Sequence, residues 1–176
     1  ENGTSPVTLQ FKPLSTAIRF TLRGPDSQLY SSAVSISRIR LIGPSGAALS
    51  GKFNVNLNGA TPVVKAAGNN SNIVTIYAKY DNDAYLQLSP GQEIELNAFI
   101  IPIDGMSINE NWKLEFTLAN GKVYTKTLKQ TPTESNPNPN TLLVAGKIHR
   151  LGYMPKLPAT ELDPAKWMEF IPRNVY

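Results

Sequence analysis

The fold class of this chain is indicated most clearly by residues 112–124, which read Trp112-Lys113-Leu114-Glu115-Phe116-Thr117-Leu118-Ala119-Asn120-Gly121-Lys122-Val123-Tyr124. Apolar and polar residues alternate up to Leu118, a period of two that is typical of a strand with one buried face. Asn120-Gly121 then interrupts the alternation before a second run reaches Leu128. Because Asn-Gly tolerates the positive φ angles of a two-residue type I′ turn, the stretch predicts a β-hairpin.

The same alternation recurs elsewhere in the chain. It covers Thr16 to Arg23, Lys52 to Leu57 and Glu93 to Ile100, which we interpret as half-buried antiparallel strands. Further short strands, each bounded by Gly, Pro, Asn or Ser, are predicted at Val7 to Phe11, Val34 to Ile42, Ile73 to Lys79, Tyr85 to Leu88 and Thr141 to Leu151.

Many short strands with regular turn signals and little helical periodicity predict an all-β fold, a two-sheet β-sandwich with Greek-key-like connections. A closed barrel is the alternative. In Val34 to Ile42 the apolar positions change phase, which a strand can do only through a bulge or by crossing between sheets, and we place that irregularity at Ser37-Arg38. The in-phase alternation predicts a core that includes Ile18, Phe20, Leu22, Ile94, Leu96, Leu114, Phe116 and Leu118.

Composition narrows the function classes. The chain of 176 residues has no cysteine and one histidine, so thiolate metal sites, cysteine nucleophiles and His-rich metal sites are excluded. The formal charge of +4 comes from cations spread singly along the chain, which argues against nucleic-acid binding. No apolar run reaches the roughly 18 residues of a transmembrane helix.

The candidate chemical sites are few. His149 has no nucleophile motif beside it, so we expect no catalytic residue, no cofactor and no intrinsic enzymatic activity. Asp81-Asn82-Asp83 could offer oxygens to calcium, but it lacks the Gly and distal Glu of a full loop, and we interpret it as a turn rather than a metal site. The aromatic rings of Tyr77, Tyr80 and Tyr85 surround that turn and are candidates for binding glycans, with core packing as the alternative.

The residues after the last predicted strand differ from the rest. We divide the chain into a β-sandwich domain at 1–155 and a tail or linker at 156–176, where Asp163-Pro164 predicts a short helix over Ala165 to Phe170. The tail carries Trp167 and other apolar residues, so we expect it either to dock on the sandwich or to lead into a further domain.

The order of several motifs along the chain resembles fimbrillin-like surface proteins, the subunits of type V pili. The motifs are Leu9-Gln10-Phe11 with Ala17-Ile18-Arg19-Phe20, then Ile39-Arg40-Leu41-Ile42-Gly43, Leu88-Ser89-Pro90-Gly91, Phe99-Ile100-Ile101-Pro102, and Ala145-Gly146-Lys147-Ile148-His149-Arg150-Leu151. The resemblance covers roughly residues 7 to 153.

That resemblance implies a transthyretin-like β-sandwich exported as a lipoprotein and displayed on the outer membrane or cell surface. It implies a non-catalytic part in pilus assembly or cell adhesion, with other fimbrial or surface subunits joined by strand addition. The candidate exchanged strand carries Val7, Leu9 and Phe11.

The tail has a second resemblance. Trp167-Met168-Glu169-Phe170-Ile171-Pro172 is similar to the lead-in of bacterial phosphatidylinositol-specific phospholipase C-like domains. It implies the alternative function, an N-terminal accessory or carbohydrate-binding domain of a longer surface enzyme.

Overall fold

The structure is a computed structural model, and it describes residues 12–28, 30–59, 61–79, 84–102, 105–109, 111–128 and 141–156, with the backbone alone at 141 and 152–156. The predicted strand Val7 to Phe11, the Asp81-Asn82-Asp83 turn and the predicted helix Ala165 to Phe170 lie outside these ranges.

All regular structure in the described ranges is β-strand, which confirms the predicted fold class. The strands are β1 Thr16–Arg23, β2 Val34–Ile42, β3 Ser50–Asn56, β4 Val63–Ser71, β5 Ile73–Ala78, β6 Leu86–Leu88, β7 Glu93–Ile100, β8 Ser107–Ile108, β9 Lys113–Leu118, β10 Val123–Thr127, β11 Thr141–Leu142 and β12 Ile148–Lys156.

Two sheets form the sandwich. One has the order β12-β1-β7, and the other has the order β10-β9-β2-β5, with β6 continuing the β5 side by pairing with β2. Two smaller antiparallel ladders, β3-β4 and β8-β11, stand outside these sheets. A single apolar core lies between the sheets, because the buried side chains of β1 and β7 pack in one cluster with those of β2, β9 and β10.

The predicted core is largely confirmed. Six of its eight residues are buried, and all six lie in β1 or β9, in the middle of a sheet: Ile18, Phe20, Leu22, Leu114, Phe116 and Leu118. Ile94 and Leu96 are only partly buried against the cluster. Both belong to β7, which among the described strands ends its sheet and has a pairing strand on one side alone. Trp112, which is fully buried, donates its indole N–H to the Ser107 carbonyl at 2.8 Å.

The phase change in β2 is the predicted bulge. The register between β2 and β9 shifts between Ile36 and Arg38, so that Val34 and Ile36 on one side of the shift and Ile39 on the other all face the core. The Ser37 hydroxyl, displaced by the bulge, donates to the carbonyls of Thr117 and Leu118 at 3.0 and 3.2 Å. The extra residue thus keeps both halves of β2 buried.

The hairpin at Asn120-Gly121 is confirmed, but the predicted turn type is wrong. A two-residue type I′ turn needs positive φ at both central residues, and of the two only Gly121 has it, at +84°. The Gly121 N–H donates to the Leu118 carbonyl, and the Leu118 N–H donates to the Lys122 carbonyl. This is the three-residue loop in which a type I turn is followed by a left-handed glycine.

Two other sequence predictions need correction. The alternation at Phe53, Val55 and Leu57 predicts a half-buried strand, but among the described strands β3 pairs with β4 alone, and Leu57 is 69% exposed. No second layer covers this hairpin within the described residues. The alternation therefore identifies a strand but does not show that one of its faces is buried. The predicted strand Thr141 to Leu151 is two strands, because a turn with Gly146 at φ +75° separates β11 from β12.

Candidate assembly surface

The candidate functional surface is the edge that β12 forms in the β12-β1-β7 sheet of the described residues. β12 runs parallel to β1, with Ala17 opposite Ile148 and Arg19 opposite Arg150. Two register shifts then interrupt the ladder before Arg23. On its other side β1 pairs antiparallel with β7 over eight consecutive residue pairs without a shift. Parallel pairing is slightly weaker per residue, and each bulge breaks the ladder, so β12 is the more weakly held neighbour of β1.

The start of β12 is the part that is well anchored. The Gly146 N–H donates to the Ser15 carbonyl at 2.8 Å, and the Lys147 carbonyl accepts hydrogen bonds from the Ala17 N–H and from the buried hydroxyl of Thr16. Leu151, 7% exposed, adds a side chain to the core. The strand is therefore held by the two residues before it and by the side chain of Leu151, while its ladder with β1 is irregular beyond Arg150.

Exposed ion pairs connect the strands on the outer face of this sheet. Glu95 of β7 lies 3.4 Å from Arg19 of β1 and 3.4 Å from Arg150 of β12. The side chains of Glu95 and Arg150 are 47% and 66% exposed, and pairs of this kind contribute about 0–1 kcal/mol. This charged row adds little to the hold on β12.

Beside the charged row, the same face is apolar and open. Phe99 and Ile148 lie on either side of Ala17, and they are 67% and 53% exposed although Ala17 itself is buried. A partner that covered Phe99 and Ile148 would remove two large apolar side chains from water.

A groove of about 500 Å³ borders the beginning of β12. Its apolar walls come from the segment before β1, from the end of the β3-β4 hairpin and from the residues that lead into β12, including Leu14, Val63, Val64, Leu142 and Val144. Three of these, Val63, Leu142 and Val144, are exposed. The edge and the groove together form a continuous candidate surface, which we call the β12 surface.

One edge strand of the other sheet, β10, carries a charged side chain on its core face. Lys126 of β10 lies opposite buried Leu114, in phase with Tyr124 opposite Phe116. Desolvation by burial lowers the pKa of the Lys126 ammonium below its usual range. An inward-pointing charge is one of the features by which edge strands resist pairing with other chains. β10 is therefore a less favourable edge for strand addition than β12.

The residues singled out from the sequence are engaged in local contacts. His149 Nε2 accepts a hydrogen bond from the Val144 N–H at 3.1 Å. The Tyr77 hydroxyl donates to the Ala84 carbonyl at 2.6 Å, and the Lys79 ammonium lies 3.6 Å from the centre of the Tyr85 ring. Tyr80 lies outside the described residues, as do Val7, Leu9 and Phe11. A sugar that stacked on the Lys79 side of Tyr85 would have to displace that ammonium.

Among the described residues, no three His, Cys, Asp or Glu side chains come together in a group suited to a metal ion. In the same ranges, no helix is long and apolar enough to span a membrane.

Sequence reasoning missed the β12 surface. The alternation around Ile148 predicts a strand but not its partner, and the parallel pairing joins residues about 130 positions apart. The Gly146 turn was the one local signal that β12 begins there.

Comparison with models of protein families gives no match to this chain, and comparison with curated proteins gives none either.

Proposed function

We propose that this chain is a non-catalytic, exported subunit that assembles with other surface subunits by strand addition, the function that its fimbrillin-like resemblance implies. The observation that carries the proposal is the pairing of β12 on β1. Among the described strands, β12 lies at a sheet edge, and its parallel ladder with β1 has two register shifts, while β7 is paired on β1 without interruption. A strand from another subunit, β12 of a second copy included, could take the place of β12, because the ladder that it would displace is short and irregular.

The β12 surface offers side-chain contacts as well as main-chain groups. An incoming strand would place alternate side chains against the core position now filled by Leu151 and against the open row beside Ala17. The neighbouring groove would accept further apolar groups. Backbone pairing would supply affinity, and these contacts would supply selectivity among partners.

The test uses two matched disulfide locks in a chain that has no cysteine of its own. Ala17→Cys with Ile148→Cys ties β12 to β1, and Ala17→Cys with Phe99→Cys ties β7 to β1. Both pairs join neighbouring strands, whose spacing of about 5 Å suits a disulfide.

The measured quantity is the fluorescence anisotropy of a labelled peptide with the sequence of residues 146–156. We expect the peptide to bind the native chain and the chain with locked β7. Oxidised chain with locked β12 should not bind it, and reduction should restore binding. Equal binding to both oxidised variants, or no binding to the native chain, would overturn strand addition at this edge. A peptide of scrambled sequence is the control for nonspecific association.

Export, lipoprotein anchoring and surface display belong to the same proposal, and fractionation of cells that make the native precursor tests them. Glycan binding through Tyr77, Tyr80 and Tyr85, as in an accessory domain of a phospholipase C-like enzyme, is the alternative. It predicts binding on a glycan array that Tyr85→Ala abolishes, together with no effect of the β12 lock.

A further inference from the structure

Two Asn-Gly pairs lie in the described residues, and they differ in the hydrogen bonds around them. Asn58-Gly59 is at the tip of the β3-β4 hairpin, beyond the last ladder pair Asn56 and Val63. Asn120-Gly121 is in the loop between β9 and β10. Asn-Gly is the dipeptide most prone to spontaneous deamidation, because glycine has no side chain to hinder attack by its own backbone nitrogen on the asparagine carboxamide.

Asn120-Gly121 is held away from that reaction. The attacking nitrogen would be that of Gly121, and its N–H donates to the Leu118 carbonyl at 3.0 Å. The carboxamide oxygen of Asn120 accepts a hydrogen bond from the Lys122 N–H at 3.0 Å. Both reacting groups are fixed by the turn, and attack would break at least one of these hydrogen bonds.

The described residues place no such restraint on Asn58-Gly59. Within the part of the chain that the structure describes, neither the Gly59 N–H nor the Asn58 carboxamide makes a hydrogen bond; Asn58 contributes only its backbone N–H, which donates to Asn56 Oδ1. Asn58 is exposed, and the space around Gly59 is open, with the Thr61 carbonyl 3.6 Å from where a Cβ would lie. Such a loop tip can sample the geometry of attack at small cost.

We propose that Asn58 is a site of spontaneous deamidation in the folded protein and that Asn120 is protected. The Gly59 nitrogen bonds to the Asn58 side-chain carbonyl carbon, the bond from that carbon to Nδ2 breaks, and ammonia leaves with the proton from Gly59. Water then opens the cyclic imide at either carbonyl to give aspartate or isoaspartate. The net reaction consumes one water and releases one ammonia.

The product carries one more negative charge, which lowers the formal charge of the chain by one from +4. That charge appears at the tip of the hairpin whose residues 61–64 line the groove. Ageing of the folded protein would therefore change the electrostatic character of the region next to the groove.

The experiment is peptide mapping of the intact chain after incubation at mildly alkaline pH. Trypsin separates the two sites, because residues 53–65 and 114–122 each end at a lysine and follow one. We expect the Asn58 peptide of the folded chain to convert several-fold faster than the Asn120 peptide, and the two to convert at similar rates in urea. Equal rates in the folded chain, or faster conversion at Asn120, would overturn the proposal.

Gly59→Ala supplies the control variant. Its new Cβ meets only an ordinary contact at 3.6 Å, so the fold is retained, and we expect conversion at position 58 to slow while conversion at Asn120 is unchanged. Conversion at position 58 as fast in this variant as in the native chain would contradict attack by the residue 59 nitrogen.

Discussion

Lys126 and Leu114 lie opposite each other on the core side of β10 and β9, the leucine fully buried and the lysine half-buried. Lys126 thus puts a charged group at a core-facing position of β10, where an apolar side chain is expected. We predict that Lys126→Met leaves the fold at least as stable at neutral pH and makes the chain associate more readily through β10. Light scattering at increasing protein concentration measures the association. A variant as monodisperse as the native chain would contradict a protective role for Lys126.

The same lysine makes stability depend on pH. Burial lowers its pKa in the folded state, so just below the ordinary value of about 10.4 the unfolded chain binds more protons than the folded one. The free energy of unfolding should therefore gain a contribution from Lys126 as pH rises through this window. We expect the stability difference between Lys126→Met and the native chain to shrink as the pH is raised, in denaturation curves measured at several pH values. A difference independent of pH would argue against desolvation of the ammonium.

Glu115 and Glu95 provide a matched pair of carboxylates, each between two arginines. Glu115 accepts a hydrogen bond from Arg40 Nε at 2.8 Å and has a side chain 13% exposed, whereas the side chain of Glu95 is 47% exposed. We predict that Glu115→Gln lowers the free energy of unfolding by about 2 kcal/mol, because it leaves partly buried guanidinium groups without their counter-charge. Glu95→Gln should cost no more than about 0.5 kcal/mol. Equal losses in urea denaturation would contradict this reading.

The sequence allowed part of this structure to be predicted, and the reasons differ by element. Ile18, Phe20 and Leu22 were placed correctly because their alternation lies in the central strand of a sheet, where one face must meet the core. The phase change in Val34 to Ile42 located the β2 bulge. A strand that buries one face keeps its apolar side chains on that face, so a change of phase requires an extra residue in the ladder.

What could not be predicted depends on contacts distant in sequence. Alternation around Val55 and Leu57 shows which side chains share a face, but not whether a second layer covers that face. The pairing of Ala17 with Ile148 and the groove beside it depend on which strands become neighbours, and the local pattern of a single sequence does not specify that choice.

A single type of substitution can test the exposure of the β3-β4 hairpin. Leu57 is 69% exposed, and Leu41 in β2 is completely buried. We predict that Leu57→Ala changes the free energy of unfolding by less than about 0.5 kcal/mol. Leu41→Ala should cost about 2–5 kcal/mol, the usual range for a truncated core leucine. A large loss for Leu57→Ala would mean that the hairpin tip is covered in solution, for example by a partner chain.

The most direct measurement of strand addition between subunits uses two single-cysteine variants mixed under oxidising conditions. One population carries Ala17→Cys and the other Ile148→Cys, so a 17–148 disulfide between copies is favoured when β12 of one copy lies on β1 of another. Ala17→Cys mixed with Phe99→Cys is the control. Position 99 is more exposed than position 148, so random collision would give the higher yield of disulfide in this mixture. We expect a clearly higher yield of mixed disulfide dimers from the first pair of variants than from the second. Equal yields, or a higher yield with Phe99→Cys, would contradict exchange of β12.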